Sequence, residues 1–373
     1  MKSELEYLEL LKEYGLLVRA PGRINLIGEH TDYNQGLCMP ATIDRSIYLG
    51  LNDSEKWSIE AIDTHETWVE GQSWTPDWLV YFKGAIQLTK EKNLPIMPLK
   101  LAFGGSLPAG AGLSSSSSIC CGFCFALNGH FGWQLDLNSL TKFAVKAERQ
   151  SGLEGGMMDQ ISIFNGQKGC ALLIDCKDWT FTSYPMALPD HRWLIVDTKI
   201  KHKLVDTDYN ARSQTCQQIL LKLQKEGLSI EALGEVDNCQ LTLAKNVLTE
   251  EQFPLLKYQF EENERVRKFA LALVKKDPSQ LGNILLEGHR GLKDMYKVSC
   301  DELDFLVDFA SKDPRAAGAR MMGGGFGGSS IHLVDKNAIT SYQSDLAAAY
   351  HQQFGIQAEI FEAVASNGLK RLK

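Results

Sequence analysis

Between Pro108 and Ser118 the chain reads Pro-Ala-Gly-Ala-Gly-Leu-Ser-Ser-Ser-Ser-Ser, a glycine turn running straight into a serine tract. A strand pattern precedes it at Leu99–Phe103, and apolar residues resume at once from Ile119 to Leu127. The segment therefore joins a strand to a buried helix and does not behave as a free linker. Glycines at Gly110 and Gly112 let the backbone approach a ligand closely and turn its amides inward. The first turn of the following helix adds unpaired N–H groups and partial positive charge. Hydroxyls of Ser114, Ser115, Ser116 and Ser117 then come within reach of a phosphate oxygen or a magnesium ion. No Gly-Lys-Ser/Thr follows, so this is not a Walker loop.

Two further segments carry chemistry. Arg19-Ala-Pro-Gly-Arg-Ile-Asn-Leu-Ile-Gly-Glu-His-Thr-Asp-Tyr-Asn34 crowds Arg23, Glu29, His30 and Asp32 into a strand and turn. Carboxylates beside an imidazole supply the directional hydrogen bonds that a polyhydroxylated sugar requires, although a polar surface turn has the same composition. Late in the chain, Gly318-Ala-Arg-Met-Met-Gly-Gly-Gly-Phe-Gly-Gly328 places five glycines within six residues. Such a run implies a tight backbone path or close packing against another segment, with or without a ligand.

Composition narrows the class of partner. The 373 residues carry a formal net charge of -7, which argues against nucleic acid, whose recognition needs a basic face. A few local donors still hold phosphate inside an acidic protein. The opening residues, MKSELEYLELLKEYGL, read as an acidic amphipathic helix and not as a secretory signal. No stretch approaches the roughly 20 apolar residues that cross a bilayer. The nine cysteines are an odd number scattered through the chain, as expected of free thiols in a reducing compartment. Cys120, Cys121 and Cys124 sit among apolar residues of the expected helix and read as packing, not as a zinc or redox site.

Strand patterns at Val18–Asn25, Ile47–Leu51, Leu99–Phe103, Cys170–Asp175, Trp193–Thr198, Ser330–Val334 and Ala358–Val364 mix irregularly with helical ones. The helical segments include Phe260–Lys276, Asp301–Lys312 and Ala338–Phe354. The mixture does not alternate regularly, so α+β is the expected class. The length allows two domains, and prolines near Pro185–His191 mark the boundary, giving residues 1–188 and 189–373.

Taken together and in this order, the three segments resemble the signature motifs of the GHMP small-molecule kinases, specifically the galactokinases. The resemblance extends to Gly156-Met-Met-Asp-Gln160, Ala171-Leu-Leu-Ile-Asp-Cys176, Asp208-Tyr-Asn-Ala-Arg212 and Trp78-Leu-Val-Tyr-Phe-Lys-Gly84, and so spans most of the chain. It implies an N-terminal domain of the ribosomal protein S5 type and a ferredoxin-like C-terminal domain, with ATP and sugar in the cleft between them. It implies Asp159 as the carboxylate beside the anomeric hydroxyl and Arg23 as the cation facing the transferring phosphoryl group. Glu29, His30, Asp32, Tyr209 and backbone near Gly156 would bind the sugar. Gly110, Gly112 and Ser114–Ser117 would cradle the phosphates, Ser116 and Glu148 would hold magnesium, and Trp78 and Tyr81 would flank the adenine.

The implied activity is transfer of the ATP γ-phosphoryl group to the C1 hydroxyl of galactose, in a cytoplasmic monomer. A paralogous kinase for N-acetylgalactosamine or arabinose is the alternative within the family, and a non-catalytic sugar sensor the alternative outside catalysis. The sensor is disfavoured, because the phosphate loop is full length and Arg23, Ser116, Glu148 and Asp159 are all present. Departures fall around the sugar. Glu154-Gly-Gly replaces the usual Pro-Cys-Gly before the catalytic aspartate, Glu148 lies one residue closer to Asp159, and Ser117-Ser118 stands where alanine is common. Glu154 adds a carboxylate that would repel an acidic sugar or bind an extra hydroxyl.

Overall fold

The structure, a computed structural model, describes residues 2–108, 110–150, 152, 155–201 and 205–373, without the side chains of 201 and 205–208. Glu154, singled out above, lies outside the described residues.

The first half opens with helix α1 (Glu4–Leu10), whose Ser3 and Glu6 form a reciprocal capping box. Strands β1 (Leu16–Asn25), β2 (Leu37–Cys38), β3 (Pro40–Asp53), β4 (Ser58–Ala61) and β5 (Glu66–Val69) follow. Then come α2 (Leu79–Glu91), β6 (Leu99–Gly105), α3 (Ser115–Phe131), α4 (Leu137–Arg149), α5 (Met158–Asn165), β7 (Cys170–Asp175) and β8 (Thr180–Pro185). The second half contains β9 (His191–Lys201), α6 (Val205–Lys225), α7 (Asn238–Ala244), α8 (Gln252–Lys275), α9 (Pro278–Arg290) and α10 (Asp301–Lys312). It closes with β10 (Ala316–Met322), β11 (Gly327–Asp335), α11 (Ile339–Phe354), β12 (Glu359–Glu362) and β13 (Lys370–Arg371).

Three sheets result, ordered β13-β1-β3-β6-β4-β5, β10-β11-β9-β12 and β2-β7-β8. All pairings are antiparallel except β4 with β6, so the class is α+β, as expected. The chain passes between the second and third sheets at the Pro185–His191 segment, where β8 ends and β9 begins. Its last residues then return to the first sheet, Arg371 pairing with Val18. One apolar cluster runs through both halves, joining Val18, Leu49, Phe82 and Phe123 to Ile195, Phe269, Leu285 and Ile331.

Helix α3 owes its buried position to apolar residues around its whole circumference. Cys120, Cys121 and Cys124 are among them, buried with free thiols against the first sheet and α4. Residue Gly122 lets the helix approach so closely that an added Cβ would stand 2.6 Å from Leu49 Cδ1. This packing fixes the helix's N-terminal end at the mouth of a cleft.

Candidate active site

Arg23 reaches the cleft because β1 is interrupted. Pro21 has no N–H to give the ladder, and the β1–β3 register shifts between Pro21 and Arg23. A bulge at this point re-aims the following side chain. Arg23 Nε and Nη2 donate to the two oxygens of Asp159 at 2.6 and 2.9 Å, and Nη1 donates to the Gly112 carbonyl at 2.6 Å. Burial works against the Arg23 charge, but Asp159, with Glu29 and Asp32 behind it, holds its pKa above the usual value. Asp159 sits in the first turn of α5, where the helix N-terminus favours a carboxylate. It also accepts hydrogen bonds from the Ser114 hydroxyl and, at 3.3 Å, from Ser117.

The phosphate loop turns through left-handed backbone at Gly110, Gly112 and Ser114, with φ values of 78°, 71° and 58°. α3 begins immediately afterwards, so its free amides face the same space as those of α5. Ser117 donates to both oxygens of Glu148, at 2.8 and 3.0 Å, and Gln160 donates to the second of them. Glu148 is buried at the end of α4, and burial together with the Asp159 charge pushes its pKa up to about 7.

The second half of the Arg19–Asn34 motif forms the loop between β1 and β2. Glu29 is 1% exposed. It accepts from the Gly323 amide at 2.7 Å, from Arg320 Nη2 at 3.3 Å and from Asn25 Nδ2 at 2.5 Å. Burial raises its pKa, and Arg320 is the main opposing influence. His30 adopts φ 61°, and its ring nitrogens contact the Tyr33 hydroxyl at 2.9 Å and the Gly324 carbonyl at 3.1 Å. Burial lowers its pKa to about 3, so the imidazole is neutral, donating to Gly324 and accepting from Tyr33. The Tyr209 ring lies 5.3 Å from that of His30. Asp32 is also buried, and burial followed by repulsion from Asp159 pushes its pKa up to about 6. Its carboxylate lies directly over Gly156, where an added Cβ would stand 2.0 Å from Oδ2. Only glycine fits there.

The late glycine run is the turn between β10 and β11, and it touches both other motifs. Gly323 holds Glu29, Gly324 holds His30, and a Cβ on Gly323 would stand 3.5 Å from Gly112 Cα. Ser329 also donates to the Ala111 carbonyl at 2.6 Å.

The result is one cleft of about 230 Å³ lined by Arg23, Glu29, His30, Asp32, Ser114–Ser117, Glu148, Gly156, Asp159 and Tyr209, with Gly110, Gly112, Gly323 and Gly324. Fourteen of the sixteen residues expected at the site are thus brought together. Trp78 and Tyr81 are not among the lining residues. They are half-buried at the start of α2, where the Trp78 indole N–H donates to Glu66 at 2.8 Å and its ring packs edge-on to Phe82 and Phe103.

The oxygen-rich corner between Ser117, Glu148 and Asp159 suits a hard divalent cation. Two carboxylates share it, burial and the Asp159 charge raise the Glu148 pKa, a shift that a neighbouring cation would offset, and the adjoining Gln160 Oε1 is buried with no hydrogen-bond partner. The donor set fits magnesium.

Helix α8 was missing from the expected site. Tyr258 donates to the Glu29 carbonyl and Gln259 to the His30 carbonyl at 3.0 and 2.9 Å, while Glu262 and Asn263 accept from the Gly28 and Leu37 amides, each at 2.8 Å. The spacing of Tyr258, Gln259, Glu262 and Asn263, which puts all four on one face of a helix, was the available signal.

Comparison with known proteins decides the family. The galactokinase galactose-binding signature matches residues 7–52, and the N-terminal and C-terminal GHMP kinase domains match residues 80–167 and 269–352. The chain is 34% identical over 357 residues to galactokinase from Thermotoga maritima, covering 95% of this chain and 99% of that one. The chain belongs to the galactokinase family. Galactokinase from Lactobacillus helveticus is 34% identical over 386 residues, covering 98% of this chain and 99% of its own. The galactokinase fold here superposes on that of Lactococcus lactis galactokinase complexed with galactose with a TM-score of 0.90, at 28% identity and over 99% of this chain and 98% of that one. Methanococcus jannaschii mevalonate kinase shares the fold at a TM-score of 0.65 and 18% identity.

Proposed function

We propose that the chain is a galactokinase, transferring the γ-phosphoryl group of ATP to the C1 hydroxyl of galactose to give galactose 1-phosphate and ADP. The observation that carries the reading is the Arg23–Asp159 pair, which stands between the Glu29–Asp32 wall and the phosphate loop in a single cleft.

Galactose binds with its hydroxyls against Glu29, Asp32, Tyr209 and the Gly156 backbone, while the neutral His30 ring packs beside Tyr209. Its C1 hydroxyl donates to Asp159, which orients the nucleophile and receives its proton. A loose transition state leaves that proton in place until late, so strong basicity is not required of the acceptor. The triphosphate lies along the Gly110–Ser117 backbone, and the amides at the starts of α3 and α5 face the charge spread over the moving phosphoryl oxygens. Arg23 adds a fixed positive charge at the same point. Glu148 and Ser116, with Ser117 alongside, would hold magnesium, which supplies neutralisation of the β- and γ-phosphates. We assign the adenine to Trp78 and Tyr81, whose helix packs against α3 and α4, the two helices bordering the phosphates.

Free thiols at all nine cysteines support a cytoplasmic setting. No helix among the described residues is long and apolar enough to cross a membrane. The test is ADP release with galactose, glucose, N-acetylgalactosamine, arabinose and galacturonate. Galactose should give the highest kcat/KM; turnover confined to another sugar, or absent with all of them, would overturn the proposal.

A further inference from the structure

Arg320, on β10, is among the largest side chains with no exposed surface at all. Its Nη2 donates to the Asn25 carbonyl at 2.9 Å and to Glu29 at 3.3 Å, and its Nη1 lies 3.7 Å from Glu262. Nε and Nη1 make no hydrogen bond. A buried guanidinium with two of its three nitrogens unbonded is costly, and for packing alone an apolar residue would serve better. What an apolar residue would not supply is a positive charge behind Glu29.

The surroundings are organised around that charge. Glu262, the second carboxylate on Arg320, is fixed by the Gly28 amide at 2.8 Å and by Arg265 Nε at 2.6 Å. Arg320 thus lies between a carboxylate facing the cleft and one carried by α8, and it does not itself line the cleft. The charged groups acting on Glu29 are Arg320 from β10, Arg23 from β1 and Asp32 from its own loop, with Glu262 of α8 on the other terminal nitrogen of Arg320. Arg320 is the cation in direct contact with Glu29.

We propose that Arg320 is a positioning residue for the sugar: it holds Glu29 as an anion in the orientation that accepts a sugar hydroxyl, without touching the sugar. The inference rests on the assignment of Glu29 to galactose. Without Arg320, burial favours protonated Glu29, which then offers the sugar a weaker acceptor. Raising the pH returns the anion.

The experiment compares Arg320→Met, Arg320→Lys and Glu29→Gln, each checked for native circular dichroism, by steady-state kinetics from pH 6 to 9. Arg320→Met should raise the galactose KM about tenfold at pH 7, change the ATP KM less than about twofold, and recover as pH rises. Arg320→Lys should fall between it and the wild type. Glu29→Gln should raise the galactose KM without any pH recovery, and adding Arg320→Met to it should cost little more. A folded Arg320→Met or Arg320→Lys enzyme with wild-type galactose KM and pH profile would overturn the inference. Should the methionine variant fail to fold, the lysine variant decides on the same criterion. If Glu29→Gln leaves the galactose KM unchanged, the assignment of Glu29 fails instead, so the two failures are distinguishable.

Discussion

The guanidinium of Arg23 straddles the carboxylate of Asp159, meeting both of its oxygens at 2.6 and 2.9 Å while its third nitrogen anchors on the Gly112 carbonyl. The pair is held from the phosphate loop on one side and from the first turn of α5 on the other. Asp159 is therefore held in place by the protein's own groups, which is what a reaction depending on position and charge requires.

Asp159→Asn keeps the shape of this pair and removes the proton acceptor. Turnover should fall by about 100- to 10,000-fold while the ATP dissociation constant changes little. Single-turnover kinetics with calorimetric ATP titration would check it; near-normal turnover removes Asp159 from the reaction.

Gly156→Ala drives a methyl group into the Asp32 carboxylate, 2.0 Å from Oδ2. Either Asp32 swings away or the loop before α5 retreats, and both open the sugar wall. The galactose KM should rise at least about tenfold, with a smaller effect on the ATP KM. Equal losses for both substrates would place the damage in the loop as a whole.

Glu148 has a pKa of about 7 against an ordinary value of 4.5. Its stabilising contribution to the substrate-free protein is complete below about pH 4.5 and is lost as pH rises through 7. Relative to Glu148→Gln, the wild type should therefore lose up to about 3 kcal/mol of unfolding free energy between pH 4.5 and 7.5, at about 1.4 kcal/mol per pK unit. Magnesium and ATP should reverse most of the loss. Urea denaturation of both proteins at several pH values reads the difference directly, and a constant offset would contradict it.

His30 has the opposite sign. Its pKa falls from 6.5 to about 3 on folding, so its contribution is present above pH 6.5 and lost as pH drops towards 3. Asn tolerates the left-handed backbone of this position. Between pH 7 and 5 the wild type should lose about 2 kcal/mol more than His30→Asn. The buried His332, shifted the same way, is common to both proteins and cancels. Parallel stability curves would count against a neutral, buried His30.

Much of the frame was legible because it rests on local pattern. Cys170–Asp175 and Asp301–Lys312 fall where their periodicity places them, and Leu99–Phe103 grows by two residues to Gly105. Other boundaries slipped for identifiable reasons. Helix α8 starts at Gln252, eight residues before the helix expected from Phe260, because Pro254 lies in its first turn, where no N–H is needed. β10 was hidden inside the late glycine motif, since Ala-Arg-Met-Met carries no alternation. The cleft residues were legible as motifs, yet the backing was not. Tyr258, Gln259 and Arg320 meet the sugar loop across more than 220 positions of chain, and nothing local announces such a meeting.

The β10–β11 turn grips Glu29, His30 and the backbone of the phosphate loop at once. An engineer wishing to admit a bulkier hexose therefore cannot retune one half of the pocket in isolation. Displacing Gly323 or Gly324 to widen the sugar wall also shifts the cradle under the triphosphate, so altered substrate range and weakened nucleotide affinity should appear together in the same variants.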